Sequence, residues 1–331
     1  MRIMVTGAEG MLGTEMVARL AREHDVIGVD VGDFDITDFA ATEAAVARAK
    51  PDLVCHCAAY TDVDGCERDP DLAFRVNALG TWNVAAATLA SCGTAAPGCD
   101  GGARRPRPTT AHGEAPGDGR ALSGASGPVM IYISTDFVFD GEKGAPYTEY
   151  DSPRPLGAYG ASKLAGERHV RELVPRHFIV RTAWLYAAHG RNFVLNILRK
   201  AREAVAAAGP GGAEPALRVV ADQVGSPTSA ADLADAVARH IVDSRLYGTY
   251  HITNAGSCSW AELAAEVLRL AGSRARVEPI SWKDWPSPTR RPPYSVLRRL
   301  CLELQGRDDM RPWQEALAEV VGRIPGGSSR G

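Results

Sequence analysis

The chain has 331 residues, 45 % of them hydrophobic and 23 % charged, with a formal net charge of −3. That length suits a large α/β domain with a smaller companion; no run of ~18 apolar residues is present to cross a membrane, and the charge offers no global attraction for nucleic acid. The seven cysteines lack paired C-x-x-C spacing, which signals neither a disulfide framework nor a zinc site, so no metal is expected from them.

The opening "MRIMVTG" has neither the basic start and apolar core of a signal peptide nor the arginine-rich character of a transit peptide, so a cytoplasmic protein is expected. Residues 2–6 form a short β-rich run that leads into "GAEGMLG", followed by the helical spacing of "TEMVARLARE". A second apolar run, 26–29, ends at Asp30. A helical stretch over 38–49 precedes a buried strand in 51–59, "PDLVCHCAA". The alternation continues with a helix over 70–91, a strand over 129–134, a helix carrying Tyr159 and Lys163, and a strand over 177–183. Strands alternating with helices imply right-handed β-α-β units, hence a Rossmann-like, doubly wound parallel sheet.

Two segments interrupt the rhythm. Residues 93–128 contain 14 glycines and prolines in 36 positions, a composition that predicts a flexible surface insertion between a helix and the next strand. A shorter segment of the same kind lies at 206–215. From "RNFVLNILRKAREA" onward, helices mix with short strands, as in a smaller α/β lobe that closes over the cofactor face. The expected division is a nucleotide-binding domain over 1–183, rejoined by 228–254, and a substrate lobe over 184–227 and 255–331. Trp260, Trp282, Trp285 and Trp313 of that lobe read as packing aromatics.

Gly7, Gly10 and Gly13 stand in "TGAEGMLG" at the first strand-to-helix turn. Glycines there let the backbone approach a pyrophosphate, while the helix N-terminus offers free N–H groups and positive dipole. Asp30, at the end of the second strand, is 17 positions after Gly13, close to the ~20 expected of a carboxylate that meets an adenosine ribose. An acid there favours NADH over NADPH. No P-loop, G-x-S-x-G elbow or H-E-x-x-H motif occurs, which weakens kinase, hydrolase and metalloprotease readings.

The chain has five lysines beside 32 arginines, so the lysine of "AYGASKLAGE" marks a position that arginine does not serve. Tyr159 and Lys163, at i and i+4, share a helix face. Pulling a phenol from its ordinary value near ~10 toward ~7 requires roughly 4 kcal/mol. An ammonium at ~4 Å supplies about that much at an effective dielectric of ~20. The phenol could then give a proton to a carbonyl undergoing reduction. Ser134, Thr135 and Asp136 end a predicted central strand, where doubly wound sheets place their ligands, and Thr135 can donate to the same carbonyl.

These residues resemble the extended short-chain dehydrogenase/reductase superfamily and, within it, the dTDP-4-dehydrorhamnose reductase family. The similarity runs through "VTGAEGMLG", "CAAYTDVDGCE", "VNALGTWNVA", "STDFVFDG", "YGASKLAGE", "RTAWLY", "DQVGSPT", "RPPYSVL" and "RPWQEALAE", and leaves out the insertion. It implies that Gly10, Met11 and Leu12 line a pyrophosphate, that Asp30 meets the ribose, and that Asp35 and Ile36 flank the adenine. Ala58, Ala59 and Tyr60 would border the inner half of the cofactor, and Asn77 would support the active-site helix. Tyr159, Lys163 and Thr135 would form the catalytic set, with Thr135, Asp136 and Trp184 at the sugar.

The reaction so implied is reduction of the C4 ketone of a dTDP-4-keto-6-deoxy sugar by NADPH or NADH, in a monomer or homodimer. The phenylalanine after Thr135-Asp136, where related dehydratases carry an acid, argues against elimination chemistry. Other nucleotide-sugar 4-ketoreductases and 4-epimerases share the scaffold. So do non-catalytic regulatory subunits resembling that of methionine adenosyltransferase. Some relatives hold a metal at a dimer interface, and Glu15 sits where such a ligand would be, although one carboxylate makes no metal site.

Overall fold

In the computed structural model, described for residues 1–91, 127–209 and 211–325, the first half of the chain builds a parallel sheet. Its strands are β1 (Arg2–Thr6), β2 (Asp25–Val29), β3 (Leu53–His56), β4 (Val129–Thr135) and β5 (His177–Thr182). Between them run α1 (Met11–Leu20), α2 (Phe39–Ala49), α3 (Val63–Arg68), α4 (Pro70–Phe74), α5 (Thr81–Ala90) and α6 (Ala158–Leu173). Beyond β5 come β6 (Leu185–Tyr186), α7 (Phe193–Ala208), β7 (Ala216–Val220), β8 (Val224–Gly225), β9 (Thr228–Ser229) and α8 (Ala230–His240). The strand β10 (Gly248–His251) then returns to the sheet beside β5.

The resulting order is β10-β5-β4-β3-β1-β2, parallel throughout. Every residue of β4 is buried, which is why "VMIYIST" is nearly continuous in apolar side chains: a central strand covered on both faces has no solvent side to alternate with. One face packs Met16 and Leu20 of α1 and Leu233 and Val237 of α8 against Val5, Ile131 and Val180. The opposite face packs Val46 of α2, Val84 of α5 and Val170 of α6 against Met4, Val54 and Met130.

The helix expected over 70–91 is built in three pieces. After α4, residues Arg75–Gly80 form a π-helical turn before α5 begins. Such a turn inserts an extra residue into the helical ladder, a distortion common at functional sites. Here it buries Asn77 completely.

The remaining elements are α9 (Trp260–Leu270), β12 (Arg276–Ile280), α10 (Leu300–Leu304) and α11 (Trp313–Arg323), with β11 (Cys258–Ser259) paired to β8. A second core joins Ile197 of α7, Val267 of α9 and Leu317 of α11 around Tyr186 and Trp313. Thus Trp313 is a packing aromatic, 5 % exposed, whereas Trp282 and Trp285 are 44 % and 40 % exposed. Trp313 opens the i, i+3, i+4, i+7 apolar spacing of α11, whereas Trp282 and Trp285 lie in a segment without a clear period, so only the latter two depart from the expected packing role. The expected insertion over 93–128 lies almost wholly outside the described residues. No helix among the described residues is long and apolar enough to cross a membrane.

The helix α6 is fixed to the sheet by polar contacts as well as apolar ones. Glu167, fully buried, accepts two hydrogen bonds from Arg181 of β5, at 2.8 and 2.7 Å, one from Ser134 of β4 at 2.7 Å and one from Arg171 at 2.9 Å. Gly166 sits so near the sheet that a Cβ there would fall 2.4 Å from the Tyr132 hydroxyl. On the neighbouring strand, buried His56 bridges Thr6 of β1, at 2.6 Å, and Thr81 of α5, at 3.1 Å. Burial first, then the charge of Lys163, pull its pKa down to about 3, so this bridge is made by neutral imidazole. Replacing Glu167 by alanine strands the Arg181 guanidinium in the core, and a loss of roughly 3–5 kcal/mol in unfolding free energy is expected from denaturant titration.

Candidate active site

A cleft of about 610 Å³ opens at the carboxyl ends of β1, β2 and β3, lined by Thr6, Gly7, Gly10, Asp30, Asp35 and Cys57 among others. This is the switch point of the sheet, where β1 has β2 on one side and β3 on the other, the place where doubly wound folds bind ligands. Gly7 has φ +70°, and a Cβ on it would lie 2.6 Å from the Ala58 backbone nitrogen. A Cβ on Gly13 would lie 1.9 Å from the Gly7 carbonyl oxygen. Only glycine fits either position.

The first helical residue is Met11, capped by Gly10 without any side-chain hydrogen bond and with no acid in the first turn. The N-terminus of α1 therefore keeps its donors and positive end for an anion. The Leu12 side chain is in the core. Asp30 is held in place: its carboxylate accepts from the backbone N–H groups of Glu9 and Val31, each at 2.8 Å. Asp35, Ile36, Ala58, Ala59 and Tyr60 line the same cleft. Arg75 and Cys57 line it too; neither had a motif that would have singled it out.

Asn77 links this cleft to α6. Its amide accepts from the Tyr60 N–H at 2.8 Å and donates to the Tyr60 carbonyl and the Ser162 hydroxyl, each at 3.0 Å. Ser162 in turn donates to the Tyr159 carbonyl at 2.9 Å. The N-terminus of α6 has no cap from its own segment; Glu67 of α3 accepts from the Ala158 N–H at 2.6 Å instead.

Tyr159 is half-buried and meets Phe137 edge-on, with ring centroids 5.5 Å apart. Its phenol is held above the usual tyrosine range, by burial first; the Thr135 hydroxyl opposes this and the Asp136 carboxylate adds to it. The expected downward pull from Lys163 does not emerge. Lys163, 3 % exposed, stands over the Tyr132 ring, 4.2 Å from its centroid. Burial lowers that ammonium to about 7, against the charge of Glu167, which acts to keep it protonated. In the protein alone the phenol is thus a protonated donor, and desolvation outweighs charge at both groups.

Thr135 donates to Asp136 at 3.1 Å and accepts from the Phe137 N–H at 3.2 Å. Asp136 departs from expectation. It is 1 % exposed, accepts from Ser295 at 2.6 Å as well as from Thr135, and is raised by burial to about 6. It is a buried strut between the sheet and the lobe, not a group open to a ligand. Trp184, with the unusual φ of +48°, stacks on Trp260 at 3.4 Å and 6°.

Trp260 lines a second cleft of about 530 Å³, with Asp64, Lys200, Arg218, Trp285 and Arg291 among the other walls. Lys200 lies 5.6 Å from the Trp285 ring centroid. Glu15 pairs with His189 at 3.6 Å. Among the described residues no cluster of three or more His, Cys, Asp or Glu side chains is placed to hold a metal ion.

The family model described as RmlD substrate binding domain matches residues 1–94 and 112–325. A dTDP-4-dehydrorhamnose reductase of Streptomyces griseus is 37 % identical over 99 % of this chain and 96 % of its own length. A probable dTDP-4,6-dihydroxy-2-methyloxan-3-one 4-ketoreductase of Streptomyces antibioticus is 38 % identical over 97 % of this chain and 94 % of its own. Among solved structures, the dTDP-4-dehydrorhamnose reductase of Bacillus anthracis in complex with NADP superposes with a TM-score of 0.80 at 36 % identity, over 96 % of this chain and 98 % of that one.

The depressed ammonium makes a linkage prediction. Lys163 titrates near 7 in the folded protein and near ~10.4 unfolded, so between these values the unfolded chain binds more protons and stability rises with pH. Without a bound ligand, the stability of the native chain minus that of Lys163→Met should therefore grow through this window by up to about 1.4 kcal/mol per pH unit, as read from denaturant midpoints.

Proposed function

This chain belongs to the dTDP-4-dehydrorhamnose reductase family, and from that premise we propose that it reduces the C4 ketone of dTDP-4-dehydro-L-rhamnose to dTDP-L-rhamnose, with NADPH or NADH as reductant. The observation that carries this reading is the company on and beside α6: Tyr159, which keeps its proton, and Lys163 one turn on, with the Thr135 hydroxyl of β4 acting on that phenol, in a chain that also has a glycine-lined cleft at the carboxyl ends of β1–β3 and an aromatic, cationic one.

The first cleft fits a nicotinamide dinucleotide. Gly7 and Gly10 line it without side chains, Gly13 lets α1 close against the Gly7 backbone, the α1 N-terminus carries no competing acid, and Asp30 is oriented for ribose hydroxyls. Gly7, Gly10, Met11, Leu12 and Gly13 would hold the pyrophosphate; Asp35 and Ile36 the adenine end; Ala58, Ala59, Tyr60 and Asn77 the inner half, with Tyr159 and Lys163 at the nicotinamide end. When bound there, a reduced nicotinamide would supply the hydride for the ketone carbon.

Tyr159 gives its proton to the oxygen of the alkoxide that then develops. Its raised pKa keeps the proton on until that base appears. Lys163, one turn along the helix, stabilises the phenolate left behind. Thr135 donates to the same oxygen after releasing Asp136. The second cleft is suited to the nucleoside diphosphate: Trp260 and Trp285 offer faces for a base, while Lys200, Arg218 and Arg291 offer charge for phosphates. Trp184 backs Trp260 on that side.

In this reading residues 1–183 with 228–254 carry the cofactor, and 184–227 with 255–331 carry the sugar nucleotide. A cytoplasmic location is part of this reading. The Streptomyces antibioticus relative supports a second reading, in which a different dTDP-4-keto sugar is reduced by the same chemistry.

Tyr159→Phe is expected to lower kcat by about 10²–10⁴ while leaving cofactor affinity as it was, measured by steady-state turnover and by cofactor titration; undiminished turnover contradicts the acid role. Asp30→Ala removes the carboxylate that opposes a 2′-phosphate. The ratio of kcat/KM for NADPH to that for NADH should then rise by about tenfold or more, as expected when one charged contact of roughly 1.5–3 kcal/mol changes.

A further inference from the structure

Residues 281–295 run as a strap along the rim of the second cleft, and three aspartates staple it. At its start, Asp222 accepts from the Ser281 hydroxyl at 2.7 Å and the Trp282 N–H at 2.8 Å. At its end, Ser295 donates to Asp136. In the middle, one oxygen of Asp64 accepts from the Thr289 hydroxyl at 2.7 Å, the Ser287 hydroxyl at 3.0 Å and the Arg291 guanidinium at 3.2 Å. Burial alone would raise this carboxyl, but the Thr289 hydroxyl and the Arg291 charge hold it below its usual range. Trp282, at the Asp222 staple, and Trp285, between it and the Asp64 staple, wall the cleft while remaining 44 % and 40 % exposed.

Asp64 belongs to α3, and α3 also touches the catalytic helix. Glu67, less than one turn further on, caps the first N–H of α6, one residue from Tyr159. A six-residue helix thus holds the strap by one end and the start of α6 by the other. Three donors converging on one oxygen exceed what a surface turn requires, and all three come from the far wall of the cleft.

We propose that Asp64 is a positioning residue for the sugar nucleotide: it clamps the 281–291 strap, and with it Trp282 and Trp285, over the cleft and registers that wall against the helix carrying Tyr159. This rests on the reading of the second cleft as the substrate site. Asp64 acts through the strap and touches no reacting atom.

The test uses the full-length chain and four variants: Asp64→Ala, Asp64→Asn, Thr289→Val, and the double variant Asp64→Ala/Thr289→Val. Asp64→Ala should raise KM for dTDP-4-dehydro-L-rhamnose by about tenfold, the scale of lost hydrogen bonds to a charged group, while the dissociation constant for NADPH stays unchanged. Asp64→Asn, whose amide oxygen still accepts from the two hydroxyls but lacks the charge for Arg291, should fall between. The double variant should be no worse than Asp64→Ala, because both changes break one clamp. Trypsin should also cut faster after Lys283 and Arg290 in Asp64→Ala than in the native chain.

Native KM and native trypsin rates in Asp64→Ala overturn the clamp, as does full additivity in the double variant, which would make Asp64 a direct substrate contact. If the native chain does not reduce this sugar at all, the functional reading fails, and the trypsin comparison alone decides the clamp. If Asp64→Ala does not fold, Ser287→Ala/Thr289→Val removes the donors from the strap side and is judged by the same measurements.

Discussion

The fold turns on the Glu167 carboxylate. It is buried on α6 and takes hydrogen bonds from β5 through Arg181 and from β4 through Ser134. A buried ion pair of this kind adds little net stability compared with apolar packing, but it tolerates only one arrangement, since any slippage leaves a charge unpaired in the core. The constraint therefore sets the register of α6 on the sheet. Lys163 lies one turn before Glu167 and Tyr159 one turn before that, so the placement of both follows from a contact that takes no part in the chemistry. The same carboxylate also supports the charge of Lys163, which burial would otherwise remove.

Two further ties complete the frame around Tyr159. The π turn before α5 delivers Asn77 to a point where one amide joins the cofactor-side loop at Tyr60 to Ser162 of α6. The α6 N-terminus, unable to cap itself because Gly157 has no side chain to offer, borrows Glu67 from α3. Tyr159, the proton donor of the proposed mechanism, is thus held from below by Glu167, from one side by Asn77 and from its own helix end by Glu67. Precision of this kind is what a positioned general acid requires.

Much of this was legible in the sequence because it is periodic or steric. Alternating apolar runs gave the order of β1 to β5, and the helix spacing at 158–167 placed Tyr159 and Lys163 together. Gly7 and Gly13 announced themselves because no other residue fits against Ala58 and the Gly7 carbonyl. What was not legible depends on contacts distant in the chain. Asp136 looked like a sugar ligand until Ser295, 159 positions away, was seen to occupy it. The effect of Lys163 on Tyr159 was argued from charge at a fixed distance, whereas burial governs both groups. Arg75 lies in no motif, Asp64 lies in one that assigns it no role, and Trp282 and Trp285 lie outside any periodic segment, so their place in the cleft depends on packing that only the structure shows.

If Tyr159 gives the proton and a reduced nicotinamide the hydride, the most direct measurement is to mix the purified chain with dTDP-4-dehydro-L-rhamnose and excess NADPH, follow loss of reduced-nicotinamide absorbance, and identify the sugar product by NMR. One reduced nicotinamide should be consumed per molecule of dTDP-L-rhamnose formed. Tight binding of NADPH with no oxidation, whichever dTDP-4-keto-6-deoxy sugar is supplied, would contradict it.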